Sequence, residues 1–90
     1  MENKFTCKCC GYKTLGEYLK NGTYEICKIC YWEDDGAQNN DPDQAGGANE
    51  PSLREAQKNF IEFGCSEKRF LSYVRPPNST DTKDPDWKPL

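Results

Sequence analysis

The sequence predicts a small α+β domain that a metal ion stabilises, and two features carry the prediction. Two C-x-x-C pairs occupy residues 7–10 and 27–30, with the spacing that metal-binding turns use. A capped amphipathic segment at about 53–63 predicts one helix. We therefore expect β-hairpin knuckles of the zinc-ribbon or rubredoxin type, followed by the helix and an irregular C-terminal tail. The domain should cover 1–77 and the tail 78–90.

Length and composition explain why such a chain would need a metal. The chain has 90 residues, of which 34% are hydrophobic, so one small core is the expectation. A core of this size supplies only about 3–5 kcal/mol of net stability, and domains of this kind often add a metal or disulfides. The six cysteines fit that need.

The expected compartment favours metal over disulfides. The N-terminus MENKFTCKCC contains no apolar run of the length that a secretory signal needs, and no stretch of the sequence is apolar enough to span a bilayer. We therefore predict a cytoplasmic protein with no membrane association. Cysteine pairs in a reducing cytosol are more often metal ligands than disulfides.

The knuckles themselves are predicted from short extended segments between turn residues. We expect strands at 4–7, 12–15 and 24–27, with a tight turn at Asn21 and Gly22. Residues 12–27 would then form a hairpin whose two ends carry the two C-x-x-C pairs. That geometry would bring four thiols together.

The predicted ligands are Cys7, Cys10, Cys27 and Cys30, which would hold one zinc ion per chain. Four thiolates at about 2.3 Å satisfy a tetrahedral ion, and Gly11 after the first pair can take the positive φ that such a turn favours. Iron is the alternative metal, because the spacing does not separate iron from zinc. A different ligand set or a disulfide state also stays open.

Several residues near these pairs have two interpretations. Lys8 and Lys28 lie inside the turns, where they either offset the negative charge of four thiolates or occupy tolerant exposed positions. We predict that Cys9 is a spare thiol and that Cys65 packs in the core. The chain has no histidine, which removes the usual general base and favours a closed structural site without catalysis.

The second half of the chain predicts a loop, a helix and a short helical turn. Residues 33–51 are rich in Asp, Asn and Gly and predict a long surface loop that is either functional or disordered. Its carboxylates lack the EF-hand pattern, so turn formation and solubility explain most of them; they are Glu33, Asp34, Asp35, Asp41 and Asp43.

The helix should begin after Ser52, which forms a capping box with Glu55, and should end at Gly64. Its predicted apolar face is formed by Leu53, Ala56, Phe60, Ile61 and Phe63. A further turn at 66–74 would carry Phe70, Leu71 and Val74 inward. Trp87 in the predicted tail either docks on the domain or stays free.

The charge of the chain limits the kinds of partner that it is expected to bind. The formal net charge is −3, and basic residues are interleaved with acidic ones, so nucleic acid is a disfavoured partner, although a local patch at Arg54, Lys58, Lys68 and Arg69 stays open. We expect a monomer that binds a protein partner through the acidic loop and helix. The alternatives are a rubredoxin-like iron electron carrier and a nucleic-acid-binding zinc ribbon, in which Tyr12, Tyr24, Tyr31 and Trp32 would stack on bases.

Four segments together carry a family resemblance: "CKCCGYKTL", "GTYEICKICYWEDDGAQ", "DPDQAGGANEPSLREAQKNFIEFG" and "VRPP". Over about residues 5–77 the chain resembles the bacterial cysteine-rich CPCC family, but Lys8 and Lys28 stand where that family has or often has proline. The resemblance implies a zinc-ribbon-like metal module with an appended helix and no established reaction. It also marks residues that would hold the long loop onto the ribbon, namely Trp32, Glu33, Asp34, Asp35, Gly46, Gly47, Asn49 and Ser52.

Overall fold

A computed structural model of the chain describes residues 4–16 and 23–90. Its elements are β1 (Phe5–Thr6), β2 (Lys13–Leu15), α1 (Gly36–Asn40), α2 (Leu53–Phe63) and a 3₁₀ helix (Lys68–Tyr73). β1 and β2 pair as a two-stranded antiparallel sheet in which Phe5 lies opposite Leu15, with an irregularity between Phe5 and Thr6. The predicted α+β class is confirmed.

In the described residues, the strands pair across the cysteine turns. β2 pairs with β1 across the first C-x-x-C pair, and Ile26 forms an antiparallel bridge with Glu33 across the second. Each cysteine pair therefore lies at the tip of its own hairpin, because the turn that holds the thiols also closes the strands on either side. The predicted turn at Asn21 and Gly22 lies outside the described residues.

Helix α2 has the predicted boundaries and caps. The Ser52 hydroxyl accepts a hydrogen bond from the Glu55 amide at 3.2 Å, and Gly64 ends the helix in the left-handed conformation with a φ of 90°. Leu53 and Ala56 are buried as predicted. The prediction for Ile61 was wrong: its side chain is 73% exposed, because it lies beyond the edge of the buried stripe.

The segment 33–51 is more ordered than a surface loop. It contains the five-residue helix α1, whose N-cap is Asp35, and it buries Asp34, Gln38 and Asn49. Runs of polar residues suggested exposure, but these side chains satisfy one another and the backbone, so burial costs them no hydrogen bonds. The predicted surface loop therefore contains a short helix and three buried polar side chains.

The 3₁₀ helix occupies the position of the predicted short turn. Phe70 and Val74 are half-buried, whereas Leu71 is exposed, contrary to its predicted inward position. A bidentate ion pair follows the 3₁₀ helix: the Arg75 guanidinium donates hydrogen bonds to both carboxylate oxygens of Asp81, at 2.7 and 2.9 Å. Within 4–16 and 23–90, no helix has the length and apolar character needed to cross a membrane.

The C-terminal segment, residues 78–90, runs back across the first knuckle, which is the turn around Cys7 and Cys10. The Lys13 amide donates to the Thr82 carbonyl at 2.9 Å, and the Asp84 amide donates to the Gly11 carbonyl at 2.8 Å. Tyr12 and Lys83 form an antiparallel bridge between these two bonds. The division into a domain over 1–77 and a tail over 78–90 stays a prediction, but residues 82–84 lie beside β2 in the manner of a short third strand.

Candidate metal centre

The first knuckle is a closed turn around Cys7 and Cys10. The Cys7 amide donates to the Tyr12 carbonyl, and the Gly11 amide donates back to the Cys7 carbonyl, both at 2.9 Å. Gly11 has a φ of 82°, as its position after the cysteine pair predicted. These bonds fix the backbone so that both thiols of the turn point to the same side.

The second knuckle repeats the same pattern at the same spacing. The Cys27 amide donates to the Trp32 carbonyl at 2.9 Å, and the Tyr31 amide donates to the Cys27 carbonyl at 2.8 Å. Tyr31 holds the place of the glycine and has a φ of 68°, a conformation that side chains other than glycine seldom adopt. The second turn therefore has the same geometry as the first, although tyrosine disfavours this conformation.

The two knuckles bring the four predicted ligand sulfurs together. The Sγ atoms of Cys7, Cys10, Cys27 and Cys30 all lie within 4.8 Å of one another. Two pairs join the knuckles, Cys7 to Cys30 at 3.5 Å and Cys10 to Cys27 at 3.7 Å. A tetrahedral ion with sulfur ligands at about 2.3 Å requires edges of about 3.8 Å, so the donor set fits a four-coordinate ion. The four cysteines are therefore close enough to hold a metal ion.

Burial makes the site closed. Each of these four cysteines is 0% exposed, and all are free thiols without a disulfide. Solvent therefore has no direct approach to the sulfur cluster, and protein sulfur would fill all four positions around a tetrahedral ion.

The electrostatics of the cluster favour one thiolate even before an ion binds. Hydrogen bonds from the Cys10 thiol, then those of Cys30 and Cys7, lower the pKa of Cys27, and the Thr14 hydroxyl adds a bond to its Sγ at 3.0 Å. Burial raises the pKa of Cys7 and Cys30, because a thiolate loses its hydration in the dry interior. A divalent ion compensates the charge of the thiolates, so metal binding and full deprotonation are linked.

The lysines inside the turns are exposed, and one contributes its backbone to the fold. The Lys8 carbonyl accepts hydrogen bonds from the Gln57 amide group at 2.8 Å and from the Trp87 indole at 3.0 Å. Helix α2 and the C-terminal segment are thereby both attached to the first cysteine turn. The side chains of Lys8 and Lys28 remain in solvent, where either predicted role is compatible with their position.

The two remaining cysteines pack in the interior. Cys9 belongs to the buried core cluster, and the Cys65 thiol is buried and donates to the Glu67 carbonyl at 2.8 Å. Burial raises the pKa of Cys65. The prediction that Cys65 packs in the interior is confirmed, and Cys9 is buried as well.

The residues marked by the family resemblance hold segment 33–51 against the second knuckle. The Asp35 carboxylate accepts from the amides of Ala37 and Ala48, both at 2.9 Å, and these bonds, with the Ala48 bond first, lower the pKa of Asp35. The Asn49 side chain pairs with both the amide and the carbonyl of Glu33. These groups are occupied within the fold, so they stabilise the segment and do not form a cation site.

Two buried glutamines with structural roles were missed from the sequence, and Trp87, which had two interpretations, docks on the domain. The Gln38 amide group donates to the carbonyls of Gln44 and Asn49, and its oxygen accepts from the Asn49 amide at 3.0 Å. Gln57 joins helix α2 to the first knuckle, and the Trp87 ring covers Gly11. Gln38 lies on a polar segment and gives no pattern that predicts burial, whereas Gln57 shares a helix face with Leu53 and Ala56. The isolated tryptophan was a signal that the terminal segment could dock.

The aromatic residues proposed for base stacking do not share a surface. Trp32 is fully buried, with its indole donating to Asn39 at 3.0 Å. The Tyr31 ring packs against Phe70 at a centroid distance of 4.4 Å, whereas the Tyr12 ring lies beside the Lys83 ammonium group. A stacking platform made of all these rings is therefore absent from the described part of the chain.

Two facing knuckles with four inward sulfurs define a small cysteine-rich domain built for metal binding. The family model described as Cysteine-rich CPCC matches residues 5–81. Because the match covers most of the 90 residues, the chain belongs to this family, as the sequence resemblance indicated. A search of the curated proteins found no match.

Proposed function

We propose that this protein is a non-enzymatic module in which one zinc ion holds the fold together and an acidic surface binds a protein partner. The observation that carries the proposal is the convergence of four fully buried sulfurs within 4.8 Å. The acidic residues of segment 33–51 and helix α2 provide the surface.

Zinc is the ion we propose for this closed donor set. Four thiolates without an open position are typical of structural zinc, which has no redox chemistry and needs no electron-transfer path. The same ligands also hold iron, so an iron-loaded form is the alternative outcome. The charge of the four thiolates and the ion would be formally about −2, buried between the knuckles.

The acidic surface consists of carboxylates that the fold leaves exposed. Residues 29–67 contain nine acidic and two basic side chains. Asp34 and Asp35 are buried and occupied, and Asp43 pairs with Arg54 at 2.7 Å. The exposed carboxylates that remain are those of Asp41, Glu50, Glu55 and Glu62. A partner with a basic surface would complement them.

Metal content tests the first half of the proposal. Native protein should contain one zinc per chain and be colourless, and a chelator should unfold it, since metal binding contributes on the order of 10 kcal/mol to folding in small zinc domains. Replacing Cys10 with Ala should abolish binding, whereas Cys9→Ala, one residue earlier, should retain one ion. Red protein with a reversible redox couple would favour the iron carrier, and protein free of metal would refute both.

Charge neutralisation tests the second half. In-cell cross-linking should capture the same partner with wild-type protein and with Lys88→Gln, but not with the triple variant Asp41→Asn, Glu50→Gln, Glu55→Gln. All three proteins should keep one zinc and the same circular dichroism, because the altered groups are exposed. Equal capture by the triple variant would remove the acidic surface from the proposal and leave the metal site untouched.

A further inference from the structure

The Thr14 hydroxyl contacts one of the four cluster sulfurs directly. Thr14 lies in the middle of β2 and is 8% exposed, and its hydroxyl donates a hydrogen bond to the Cys27 Sγ at 3.0 Å. We propose that Thr14 determines the charge of the ion that the cluster prefers: its hydroxyl stabilises negative charge on the Cys27 sulfur and so favours a divalent ion over a trivalent one. This role rests on the metal site proposed above and belongs to a residue that is not itself a ligand.

The strand holds this hydroxyl from both sides of Thr14. The Lys13 amide donates to the Thr82 carbonyl at 2.9 Å, which fixes the backbone before Thr14. Leu15, the residue after it, lies opposite Phe5 and is buried. Threonine is branched at Cβ, so its χ1 angle is restricted in a strand. The hydroxyl is therefore directed at the sulfur before an ion binds.

The hydrogen bond joins the two knuckles. Thr14 follows the first cysteine pair in the chain, whereas Cys27 begins the second pair, and the Cys27 sulfur lies 3.7 Å from that of Cys10. A buried hydroxyl requires a hydrogen-bond partner, so a purely structural role would produce the same contact. The two roles differ in their effect on the sulfur, because only an electronic role changes the properties of the bound ion.

The charge of the cluster makes the hydroxyl selective. Four thiolates around a divalent ion have a formal net charge of about −2, and around a trivalent ion about −1. The hydroxyl directs the positive end of its O–H dipole at Cys27, and this interaction is stronger when the cluster is more negative. All four sulfurs are buried, so water does not screen it. Loss of the hydroxyl should therefore weaken a divalent complex more than a trivalent one.

The charged side chains around the cluster do not replace this donor. Lys8 and Lys28 lie inside the cysteine turns, but both are exposed, so solvent and salt reduce their effect on a buried charge. The Arg75 charge also interacts with Cys27, but its guanidinium donates to both carboxylate oxygens of Asp81, which neutralises most of its field. Thr14 combines burial with direct contact to a ligand sulfur.

The first test compares variants of the full chain loaded with cobalt(II), which reports on its sulfur ligands through charge-transfer absorption. Thr14→Val keeps the side-chain shape but removes the hydroxyl, so the sulfur-to-cobalt band should move to lower energy and the zinc affinity should fall by about tenfold. Thr14→Ser keeps the hydroxyl and should restore most of both properties. Ser52→Ala removes another buried hydroxyl, whose partner is the Glu55 amide, and should leave the band unchanged.

Iron-loaded protein tests the charge preference itself. Thr14→Val should have a more negative iron(III)/iron(II) reduction potential than wild type and Thr14→Ser, because the reduced cluster carries the larger negative charge. Thr14→Ala is a second variant without the hydroxyl if the valine variant fails to fold.

The outcomes separate the role of Thr14 from the metal site. An unchanged band or potential in the metal-loaded valine or alanine variant would overturn the role of Thr14 and leave the metal site in place. A serine variant that behaves like the valine variant, or an equal shift of the band in Ser52→Ala, would overturn it in the same way. Wild-type protein that binds neither cobalt, zinc nor iron would overturn both proposals.

Discussion

Replacing Gly11 with Ala tests how the first metal knuckle and the C-terminal segment depend on each other. An alanine here must adopt a φ of 82°, which costs about 1–2 kcal/mol for a residue with a Cβ. The new methyl group would also lie 2.6 Å from Cδ2 of the Trp87 indole, well inside van der Waals contact. The ring must therefore move away from the knuckle.

The displacement of Trp87 adds a second cost. Its indole donates to the Lys8 carbonyl at 3.0 Å, a bond with a net contribution of about 1 kcal/mol, and its half-buried ring contributes packing of similar size. We therefore expect Gly11→Ala to destabilise the protein by about 3–4 kcal/mol. In a Trp87→Ala background only the backbone strain remains, so the cost should fall to about 1–2 kcal/mol.

The measurement is urea unfolding followed by circular dichroism at a fixed, buffered concentration of free zinc. The concentration must be fixed because metal binding shifts the apparent stability by mass action. A double-mutant cycle then gives a coupling of about 2 kcal/mol between the two positions. Equal costs in both backgrounds would show that the ring does not rest on Gly11, and a cost near zero would refute the backbone conformation.

Three further predictions concern the second knuckle, the polar network and the ion. Tyr31→Gly relieves backbone strain but loses the ring contact with Phe70, so we expect the free energy of unfolding to change by no more than about 1 kcal/mol in the wild-type background. In a Phe70→Ala background the same change should stabilise the protein by up to about 1 kcal/mol. Destabilisation in both backgrounds would refute the strain. Gln38→Met preserves the side-chain volume but leaves the buried Asn49 amide without its hydrogen-bond acceptor. We expect it to destabilise the fold by about 1–3 kcal/mol and to speed hydrogen exchange at that amide. Unchanged protection at the amide would contradict the network. Metal binding lowers the thiol pKa values in the folded state, so the metal's contribution to stability is complete above the thiol pKa of the unfolded chain, about 8.5, and is lost as pH falls. In unfolding experiments at constant total zinc, the free energy of unfolding should decrease from about pH 8 to about pH 5. A flat profile would exclude thiolate coordination.

The sulfur cluster and helix α2 were predictable because their signals are local. A C-x-x-C pair forms its own turn, and the geometry of that turn directs both thiols to the same side independently of the rest of the chain. Ser52 and Gly64 likewise define the ends of a helix from within a short window. The extended segments predicted at 4–7 and 12–15 contain β1 and β2, which pair across the first cysteine turn, whereas the predicted turn of the hairpin over 12–27 lies outside the described residues.

The polar network and the docked terminal segment were not predictable for a different reason. Gln38 and Asn49 are buried with their polar atoms satisfied by each other and by nearby backbone groups, and such reciprocity between residues eleven positions apart leaves no periodic pattern. Trp87 docks on a glycine and on a backbone carbonyl at Lys8, and neither of these partners can be recognised as a binding surface from residue type. Contacts that use backbone atoms across a long sequence separation carry almost no sequence signature.

The composition of the interior explains why the ion and the terminal segment matter together. All six cysteines are buried, and the other buried apolar residues in the described part of the chain are only Leu15, Ile29, Trp32, Leu53 and Ala56. Apolar burial on this scale stabilises a domain by only a few kcal/mol after chain entropy is subtracted. An ion between the knuckles would join two hairpins that otherwise meet through side chains such as the Thr14 hydroxyl at Cys27. Since Lys8 lies between two ligands and its carbonyl binds both Gln57 and Trp87, loss of the ion should loosen helix α2 and the terminal segment as well as the knuckles.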